Sequence, residues 1–138
     1  MGTRSGESVL ICIISTTRMV LVKDKSFKEP YWKLPGGGIE STDANVIAAA
    51  IRECRQETGI KLLPSEFLFH FQNWRENGAY RPHFCIARVT EEKLDTRLKF
   101  GDENGHTIMV AAFERFEVPE MPDLLAPHRF FVNRAMTD

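Results

Sequence analysis

The chain has 138 residues, a length that suits one domain in which roughly two-thirds of the unfolded surface is buried around a single core. The formal net charge is −1, and residues of both signs are interspersed along the sequence. Proteins that coat nucleic-acid duplexes or anionic membranes need one-sided positive charge, so the composition argues against both as partners and leaves small ligands open.

The cysteines and the N-terminal segment indicate the compartment. Cys12, Cys54 and Cys85 have no Cys-x-x-Cys spacing and mostly apolar neighbours, so we interpret them as reduced core residues and not as a zinc site or disulfide framework. The N-terminal residues lack the apolar run of a signal peptide, and no apolar run approaches the roughly 18 residues of a membrane span. We therefore expect a cytoplasmic protein.

The N-terminal third predicts strands followed by a glycine loop. Residues 9–15 and 19–23 are β-branched and aliphatic runs separated by a short polar segment, which predicts an antiparallel hairpin. Residues 31–34 form a short extended segment, because the Pro35 that follows disfavours helix. Glycines 36–38 then allow backbone conformations closed to other residues, so we predict a loop there.

A helix is predicted over residues 44–58. Asp43 is a fair N-cap, apolar residues recur at helical spacing, and Gly59 is placed to end the helix. Glu53 and Glu57 are four residues apart and therefore lie one above the other, about a third of a turn from the apolar stripe. One face of this helix can pack while the other meets solvent or ligand.

The C-terminal half predicts more sheet and a closing helix. Residues 67–74 and 80–89 read as strands joined at an Asn-Gly turn, and 107–113 as a further strand that residues 116–119 extend. Residues 127–136 predict a helix with proline near its first turn. The order of strands, helix, strands and helix indicates an α+β fold, a mixed sheet covered by helices.

The chemistry is predicted to lie in the glycine loop and the following helix. Exposed N–H groups at a glycine turn favour phosphate, which makes Gly36, Gly37 and Gly38 candidate substrate-binding residues. The loop is neither a Walker loop nor a dinucleotide fingerprint, since the required later residues are absent. Alone, the glycines would more often form only a turn, and Glu53 and Glu57 only a solvated helix face.

In combination, residues 38–60 resemble the Nudix box, G-x5-E-x7-R-E-U-x-E-E-x-G-U with U aliphatic. Arg52 and Glu53 fall on the R-E, Cys54 on the first aliphatic position and Glu57 on the second paired glutamate. The closing Gly-Ile pair and the preceding Leu-Pro-Gly-Gly also match the family. Because the resemblance in length and strand order covers nearly the whole chain, it implies a single Nudix domain over residues 1–138, folded as an α/β/α sandwich with a mixed sheet.

Two positions depart from the box. Its early glutamate falls on Ala44, with Asp43 one residue before it, so a one-residue shift would let Asp43 stand in. The first of the paired glutamates falls on Gln56, a position that usually contributes to metal binding in the family. The site thus resembles a catalytic one with reduced negative charge.

The resemblance implies a metal-dependent hydrolase, a pyrophosphatase acting on a nucleoside diphosphate linked to another group, with Mg²⁺ or Mn²⁺ as cofactor. Hard cations prefer carboxylate oxygens, neutralise phosphate charge and lower the pKa of bound water, which suits this reaction. The implied catalytic residues are Arg52, Glu53 and Glu57. Glu57 would be a direct ligand, Glu53 a ligand or water-activating base, Gln56 a neutral ligand or bystander, and Arg52 the residue that orients Glu53.

Further ligands in this family often come from a later loop. Asp102 and Glu103 lie between two predicted strands and could reach the same metal, although turn chemistry alone also explains them. Trp74, Tyr80 and Phe84 could stack a base, although core packing is the more common role for each. The histidines, His70, His83, His106 and His128, have no paired ligand spacing and are treated as structural or solvent-facing.

Two functions remain open from the sequence. The first is the hydrolase, whose partner is a small-molecule nucleotide: a nucleoside triphosphate, a nucleotide sugar or a dinucleoside polyphosphate. The second is a degenerate Nudix domain that binds a nucleotide or a partner without turnover, for which Ala44 and Gln56 are the evidence. The sequence leaves a homodimer possible.

Overall fold

The computed structural model describes residues 4–24, 31–72, 82–97, 101–103 and 106–136. Within these residues the chain forms seven strands and three helices. The strands are β1 (Arg4–Ile14), β2 (Arg18–Asp24), β3 (Gly36–Glu40), β4 (Phe67–Gln72), β5 (His83–Arg88), β6 (Gly101–Glu103) and β7 (His106–Glu114). The helices are α1 (Val46–Thr58), α2 (Glu91–Arg97) and α3 (Ala126–Ala135), and short 3₁₀ turns cover Pro64–Glu66 and Val118–Glu120.

The sheet is built around β1. Its strand order is β4-β5-β1-β2-β7-β6, with β3 as an additional partner of β1. The pairing of β1 with β5 is parallel and the other pairings are antiparallel. The end of β1 pairs with β2 at Ile14 and Met19, while its earlier part pairs with β3 at Val9 and Gly37. The long strand therefore supports the predicted hairpin at one end and the glycine segment at the other.

Side-chain alternation along β1 divides the core into two layers. Val9, Ile11 and Ile13 pack on the side of α1 and α2. Leu10, Cys12 and Ile14 pack on the opposite side, against α3. Successive strand residues point to opposite faces, so one apolar strand buried on both faces serves both layers. The predicted α+β fold, an α/β/α sandwich with a mixed sheet, is confirmed.

The three cysteines lie inside this core. Cys12, Cys54 and Cys85 are fully buried and free. Burial raises the pKa of the Cys12 and Cys85 thiols to about 12, so neither forms the reactive thiolate near neutral pH. Their interpretation as reduced core residues is confirmed.

The predicted glycine loop is instead strand β3. Backbone pairing with β1 runs through Val9↔Gly37 and Leu10↔Gly36. A Cβ on Gly36 would lie 2.1 Å from the carbonyl oxygen of Val9, so only glycine permits this approach. Glycine is depleted in strands, and its presence in one marks close backbone contact that local sequence does not display.

The predicted helix is present, but it begins at Val46 and not at residue 44. Asn45 is the N-cap, and its side-chain oxygen accepts a hydrogen bond from the Ala48 N–H at 2.8 Å. Asp43 is therefore not the cap. Gly59 ends the helix in the left-handed conformation, as predicted, with φ of 77°.

Two short elements were not predicted. The α2 helix has only seven residues, too few to be stable alone, and it forms because Leu94 is buried and Glu91 accepts hydrogen bonds from Ser15 and Thr17 in the β1–β2 turn. The β6 strand has three residues and depends on pairing with β7. Both elements require partners distant in sequence.

Other sequence expectations have mixed outcomes. Residues 31–34 are extended but make only isolated bridges, to Val22 and Leu124. Residues 116–119 do not extend β7, because the chain turns there into a 3₁₀ segment. The predicted Asn-Gly turn at 77–78 lies outside the described residues. Of the helices that the structure describes, none has the length and apolar character required to cross a membrane.

The start of α3 is fixed to the segment before the glycines. Backbone bonds join the Trp32 N–H to the Asp123 carbonyl oxygen and the Leu125 N–H to the Trp32 carbonyl oxygen, each at 2.8 Å. Nδ1 of His128, whose side chain is buried, accepts a hydrogen bond from the Leu34 N–H at 3.0 Å. Burial, with Lys33 as a second cause, lowers the pKa of His128 to about 4.

Because the pKa of the buried His128 is lowered, we predict that the protein loses stability in acid. The unfolded chain protonates His128 near pH 6.5, whereas the folded protein resists protonation down to about pH 4. The contribution of the neutral ring to the free energy of unfolding is thus fully present above pH 6.5 and decreases as the pH falls toward 4. At pH 4.5 the free energy of unfolding should be lower than at pH 7 by roughly 2–3 kcal/mol. Denaturant unfolding at pH 7 and pH 4.5 measures this loss.

The matched control is His128→Asn, whose side-chain oxygen can still accept the Leu34 N–H but cannot titrate. We expect a smaller loss between the two pH values in this variant. His70, whose pKa is also lowered by burial, contributes equally to both proteins. Equal losses in the two proteins would contradict the assignment to His128.

Candidate active site

Two glutamates of α1 are buried beneath β3. Glu53 is 2% exposed and Glu57 is 7% exposed. The sequence left this helix face open to solvent or ligand, whereas the structure covers it with the glycine strand. Ionised carboxylates are costly to bury, so the groups around them decide whether the charge is tolerated.

The glycines of β3 contact these carboxylates directly. The Gly36 N–H donates to Oε1 of Glu57 at 3.0 Å. A Cβ on Gly37 would lie 2.7 Å from Cδ and Oε2 of Glu53 and 2.8 Å from Oε1. Close approach of the glutamate therefore requires glycine at position 37. The Gly36 N–H, expected to face phosphate, is used by the protein itself.

Arg52 connects the helix to the segment after β3. Its Nε and Nη2 donate to Oδ1 and Oδ2 of Asp43 at 3.0 and 2.9 Å, a bidentate pair. Nη1 donates to Oε1 of Glu53 at 2.9 Å and lies 3.2 Å from Oε2 of Glu40. Nη2 also donates to the Gly38 carbonyl oxygen at 3.0 Å. Arg52 thus holds Glu53 against the glycine strand.

Asp43 has a defined role in this arrangement. The paired Arg52 guanidinium holds the pKa of Asp43 below its usual range, and the pKa of Arg52 is raised, chiefly by the hydrogen bond to Asp43. Oδ2 of Asp43 also accepts the Glu40 N–H at 2.8 Å. Asp43 is therefore the bidentate partner of Arg52 and lies two positions ahead of the helix cap, Asn45.

Gln56 lies at the exposed edge of the same group. Its Oε1 accepts a long hydrogen bond, 3.4 Å, from Nη1 of Arg52. A carboxylate at this position would face the same guanidinium and stand next to Glu53. The neutral amide therefore reduces the negative charge around Arg52 without changing the hydrogen-bonding partner.

The later acidic residues lie in a strand. Asp102 and Glu103 belong to β6, where they pair with Thr107 and His106 of β7, so the alternative of a plain turn is wrong. The β6 backbone approaches α1, although the side chains of both residues lie outside the description. Among described residues, no group of three or more His, Cys, Asp and Glu side chains is arranged to hold a metal.

The candidate aromatic residues divide similarly. Phe84 is fully buried and packs on Phe131 with 5.0 Å between ring centroids, so it belongs to the core and does not stack a ligand. Trp74 and Tyr80 lie outside the described residues. Among the described residues, the candidate Phe84 thus has the more common core role.

A cleft opens beside the glycine strand, with a volume of about 440 Å³. Its lining comes from residues 6–10 and 36–38 and from Lys33, Leu34, Leu125 and His128. Sequence reasoning treated His128 as structural and did not single out Lys33. No spacing rule links them to the glycines, because the start of α3 reaches this place only through tertiary packing.

The bidentate pair predicts unequal effects of two similar substitutions. Asp43→Asn turns one oxygen into a donor facing Arg52 and the Glu40 N–H, and we expect it to lower the free energy of unfolding by roughly 1–3 kcal/mol. Glu40→Gln, which alters a single and more exposed contact, should cost less than about 1 kcal/mol. Chemical denaturation measures both, and an equal loss would contradict the role given to Asp43.

Comparisons with known proteins place these features in a family. Among solved structures, the chain is similar to the Nudix domain of Shewanella oneidensis NrtR complexed with ADP ribose, with a TM-score of 0.72 and 18% identity over 95% of this chain and 86% of that one. It is also similar to a MutT/Nudix family protein from Listeria innocua, with a TM-score of 0.68 and 21% identity over 98% of this chain and 94% of that one.

A third similar structure is a MutT Nudix hydrolase from Burkholderia pseudomallei, with a TM-score of 0.64 and 20% identity over 96% of this chain and 98% of that one. These TM-scores show a shared fold. No curated protein gives a significant match. The model of the NUDIX domain matches residues 4–135, which is nearly the whole chain. The resemblance read from the box is therefore confirmed, and the chain belongs to the Nudix family.

Proposed function

We propose that this protein is a metal-dependent hydrolase of the pyrophosphate bond in a nucleoside diphosphate linked to another group. The observation that carries the proposal is the pair of buried carboxylates, Glu53 and Glu57, held beneath a glycine strand by Arg52 and the Gly36 N–H. Membership of the Nudix family supports the reaction class.

The charge balance supports a cation at this place. Glu53 and Glu57 are buried like charges on successive turns of one helix, so each raises the cost of ionising the other. Arg52 neutralises part of this charge but is shared among Asp43, Glu53 and Glu40. A divalent cation would offset the remainder.

The donor set fits Mg²⁺ or Mn²⁺. Mg²⁺ is commonly bound through one or two carboxylates together with water and substrate phosphates, and two carboxylates are what α1 supplies. We propose that Glu53 and Glu57 hold the ion, with Gln56 at the edge and Glu103 of β6 as a further ligand. When bound, the cation neutralises the phosphates and lowers the pKa of coordinated water.

Other residues of the chain orient the two carboxylates and leave room for the substrate. Arg52 fixes Glu53 by donating to Oε1, which orients the carboxylate toward the glycine strand. The Gly36 N–H does the same for Glu57. Gly37 and Gly38 carry no side chain, so the phosphates of a substrate can approach these carboxylates without obstruction. The protein thus positions groups before substrate arrives.

The cleft supports a nucleotide substrate. Its lining includes Gly36, Gly37 and Gly38 of the strand that contacts Glu53 and Glu57, so we propose that a nucleotide in the cleft extends its phosphates past this strand toward the carboxylates. One structurally similar Nudix domain is complexed with ADP ribose, a molecule that contains a pyrophosphate between two riboses. We propose the same broad substrate class here.

The second candidate function is nucleotide binding without turnover. Gln56 favours it, because this position supplies an amide bonded to Arg52 where the family pattern has a carboxylate. Binding would use the same cleft and glycine strand. The two functions differ only in whether products form.

A nucleotide panel tests the proposed function. Nucleoside triphosphates, nucleotide sugars including ADP-ribose and dinucleoside polyphosphates are incubated across a Mg²⁺ and Mn²⁺ titration while nucleoside monophosphate or phosphate release is followed. We expect divalent-dependent release from at least one compound. Tight binding without release from any compound would favour the second function.

The carboxylates supply the next prediction. Glu53→Gln and Glu57→Gln should each lower kcat by at least about 100-fold, because each removes a charge needed at the reacting phosphates. Stability should change little, since the amide keeps an acceptor and the removal of like-charge repulsion offsets the ion pair with Arg52 that Glu53→Gln loses. Glu117→Gln, the same change at an exposed position, is the control and should keep full activity. Full activity in either site variant would refute the mechanism.

Two alanine substitutions separate the site from the fold. In Gly37→Ala the new Cβ meets the end of the Glu53 side chain, which can move, so we expect at least tenfold lower activity with little change in melting temperature. In Gly36→Ala the Cβ meets the Val9 backbone, so we expect a loss of stability of about 2 kcal/mol or more. Unchanged activity in Gly37→Ala would show that Glu53 does not need its present position.

A further inference from the structure

Two histidines meet on the sheet, away from the carboxylate site. His70 of β4 and His83 of β5 are 13 residues apart in the chain, but their strands are paired. Nε2 of His70 lies 2.9 Å from Nδ1 of His83, and the ring centroids are 5.1 Å apart. Neither histidine is among the residues that line the cleft. The pairing of β4 with β5 thus brings together two imidazole nitrogens that no local spacing rule connects.

The pair lies on the α1 side of the sheet, across β1 from the glycine strand. His83 alternates along β5 with Cys85, which packs in the α1 layer, and His70 is in register with Cys85. Val9 of β1 is in register with His83 on one side and with Gly37 on the other. Neighbouring strands are roughly 4.8 Å apart, so about 10 Å separates the backbones of His83 and Gly37. The pair is therefore distinct from the carboxylate site.

A carboxylate determines which nitrogen of His83 can bind a ligand. Nε2 of His83 is buried, has no hydrogen bond among the described residues and lies 3.5 Å from Oε1 of Glu7. Because an ionised carboxylate only accepts hydrogen bonds, it favours the neutral ring with its proton on Nε2 and a lone pair on Nδ1. Metal-bound histidines commonly have this arrangement, in which a carboxylate faces the nitrogen that does not bind the metal.

His70 supplies the second nitrogen. Its side chain is exposed, and desolvation together with the neighbouring His83 lowers the pKa of the ring, so the ring is neutral near pH 7. A neutral imidazole can carry its proton on either nitrogen, and with the proton on Nδ1 the Nε2 atom becomes a ligand. The two nitrogens now face each other across a hydrogen bond. Rotation of the exposed His70 ring would let both lone pairs meet at one ion.

We infer that His70 and His83 bind one divalent transition-metal ion through Nε2 and Nδ1, with water completing the coordination. Imidazole nitrogen suits Zn²⁺, Ni²⁺ and Cu²⁺, whereas Mg²⁺ prefers oxygen. The pair is a two-ligand site, smaller than the groups of three or more side chains that are absent among the described residues. A bound ion links β4, the last strand on one edge of the sheet path, to β5.

Calorimetric titration with Ni²⁺ tests this site on full-length protein without a histidine tag. The titration is carried out in excess Mg²⁺, which competes for carboxylate oxygens but not for imidazole pairs. We expect one Ni²⁺ to bind per chain. His70→Gln and His83→Gln should each weaken binding by at least about tenfold, because a chelating pair becomes a single ligand.

Two further substitutions distinguish this site from general charge attraction. Glu7→Gln leaves both ligands in place and removes the carboxylate behind His83, so we expect roughly tenfold weaker Ni²⁺ binding. Glu117→Gln removes an exposed carboxylate elsewhere and is the control. Its affinity for Ni²⁺ should equal that of the unmodified protein.

Melting temperature gives a second measurement. An ion that binds only the folded state stabilises it, so Ni²⁺ in excess Mg²⁺ should raise the melting temperature of the unmodified protein and of Glu117→Gln. The same Ni²⁺ concentration should raise that of His70→Gln much less. Because His70 is exposed, this variant is expected to fold, which keeps the comparison valid if His83→Gln does not.

Three results would overturn the inference. They are Ni²⁺ affinity that His70→Gln leaves unchanged, an equal loss of affinity in Glu117→Gln, and no Ni²⁺ binding in excess Mg²⁺. A purely structural histidine pair predicts variants that melt at lower temperature without Ni²⁺ but respond to Ni²⁺ as the unmodified protein does. The inference is independent of the proposed hydrolysis, since its ligands and its preferred metals differ from those at Glu53 and Glu57.

Discussion

The close approach of β3 to helix α1 is the constraint on which the site depends. The space that a Cβ on Gly36 would need is occupied by the Val9 carbonyl of β1. The space that a Cβ on Gly37 would need is occupied by the Glu53 carboxylate. A side chain at either position would push the strand away from one of its neighbours. The glycines therefore do more than permit a turn, because they let strand β3 lie between β1 and two buried carboxylates.

Those charges are tolerated because Arg52 is fixed in place. Its bidentate bond to Asp43 orients the guanidinium, which then reaches Glu53 and the Gly38 carbonyl oxygen. A planar guanidinium suits this task, since one group offers several donors in fixed directions. The segment between β3 and α1 thus supplies the carboxylate of Asp43, which pairs with Arg52 of the helix. The conformation of this segment is stabilised by the hydrogen bond from the Glu40 N–H to Asp43.

The opposite layer of the sandwich contributes a different kind of group. Helix α3 brings His128 to the glycine strand, where the Leu34 N–H selects the tautomer of the ring. The α1 side of β3 therefore contacts charged side chains, whereas the cleft beside the start of α3 is lined mostly by apolar residues and glycine.

The sequence by itself determined the family, the fold class and the helix that carries the site. Helical spacing placed Glu53 and Glu57 one above the other, and residues 38–60 matched the box, because both signals depend only on local periodicity and residue order. The hairpin of β1 and β2 and the end of α1 at Gly59 could also be predicted, because each depends on residues that are neighbours in sequence.

Only the tertiary structure decided the rest. The glycine segment became a strand because β1 supplied its partner, and α2 and β6 formed because distant residues paired with them. Asp43 became the partner of Arg52, not a helix cap, since Asn45 capped the helix and nine residues separate the two charged groups along the chain. His128 reached the cleft from 94 residues beyond Leu34, a proximity that packing creates and no local pattern encodes.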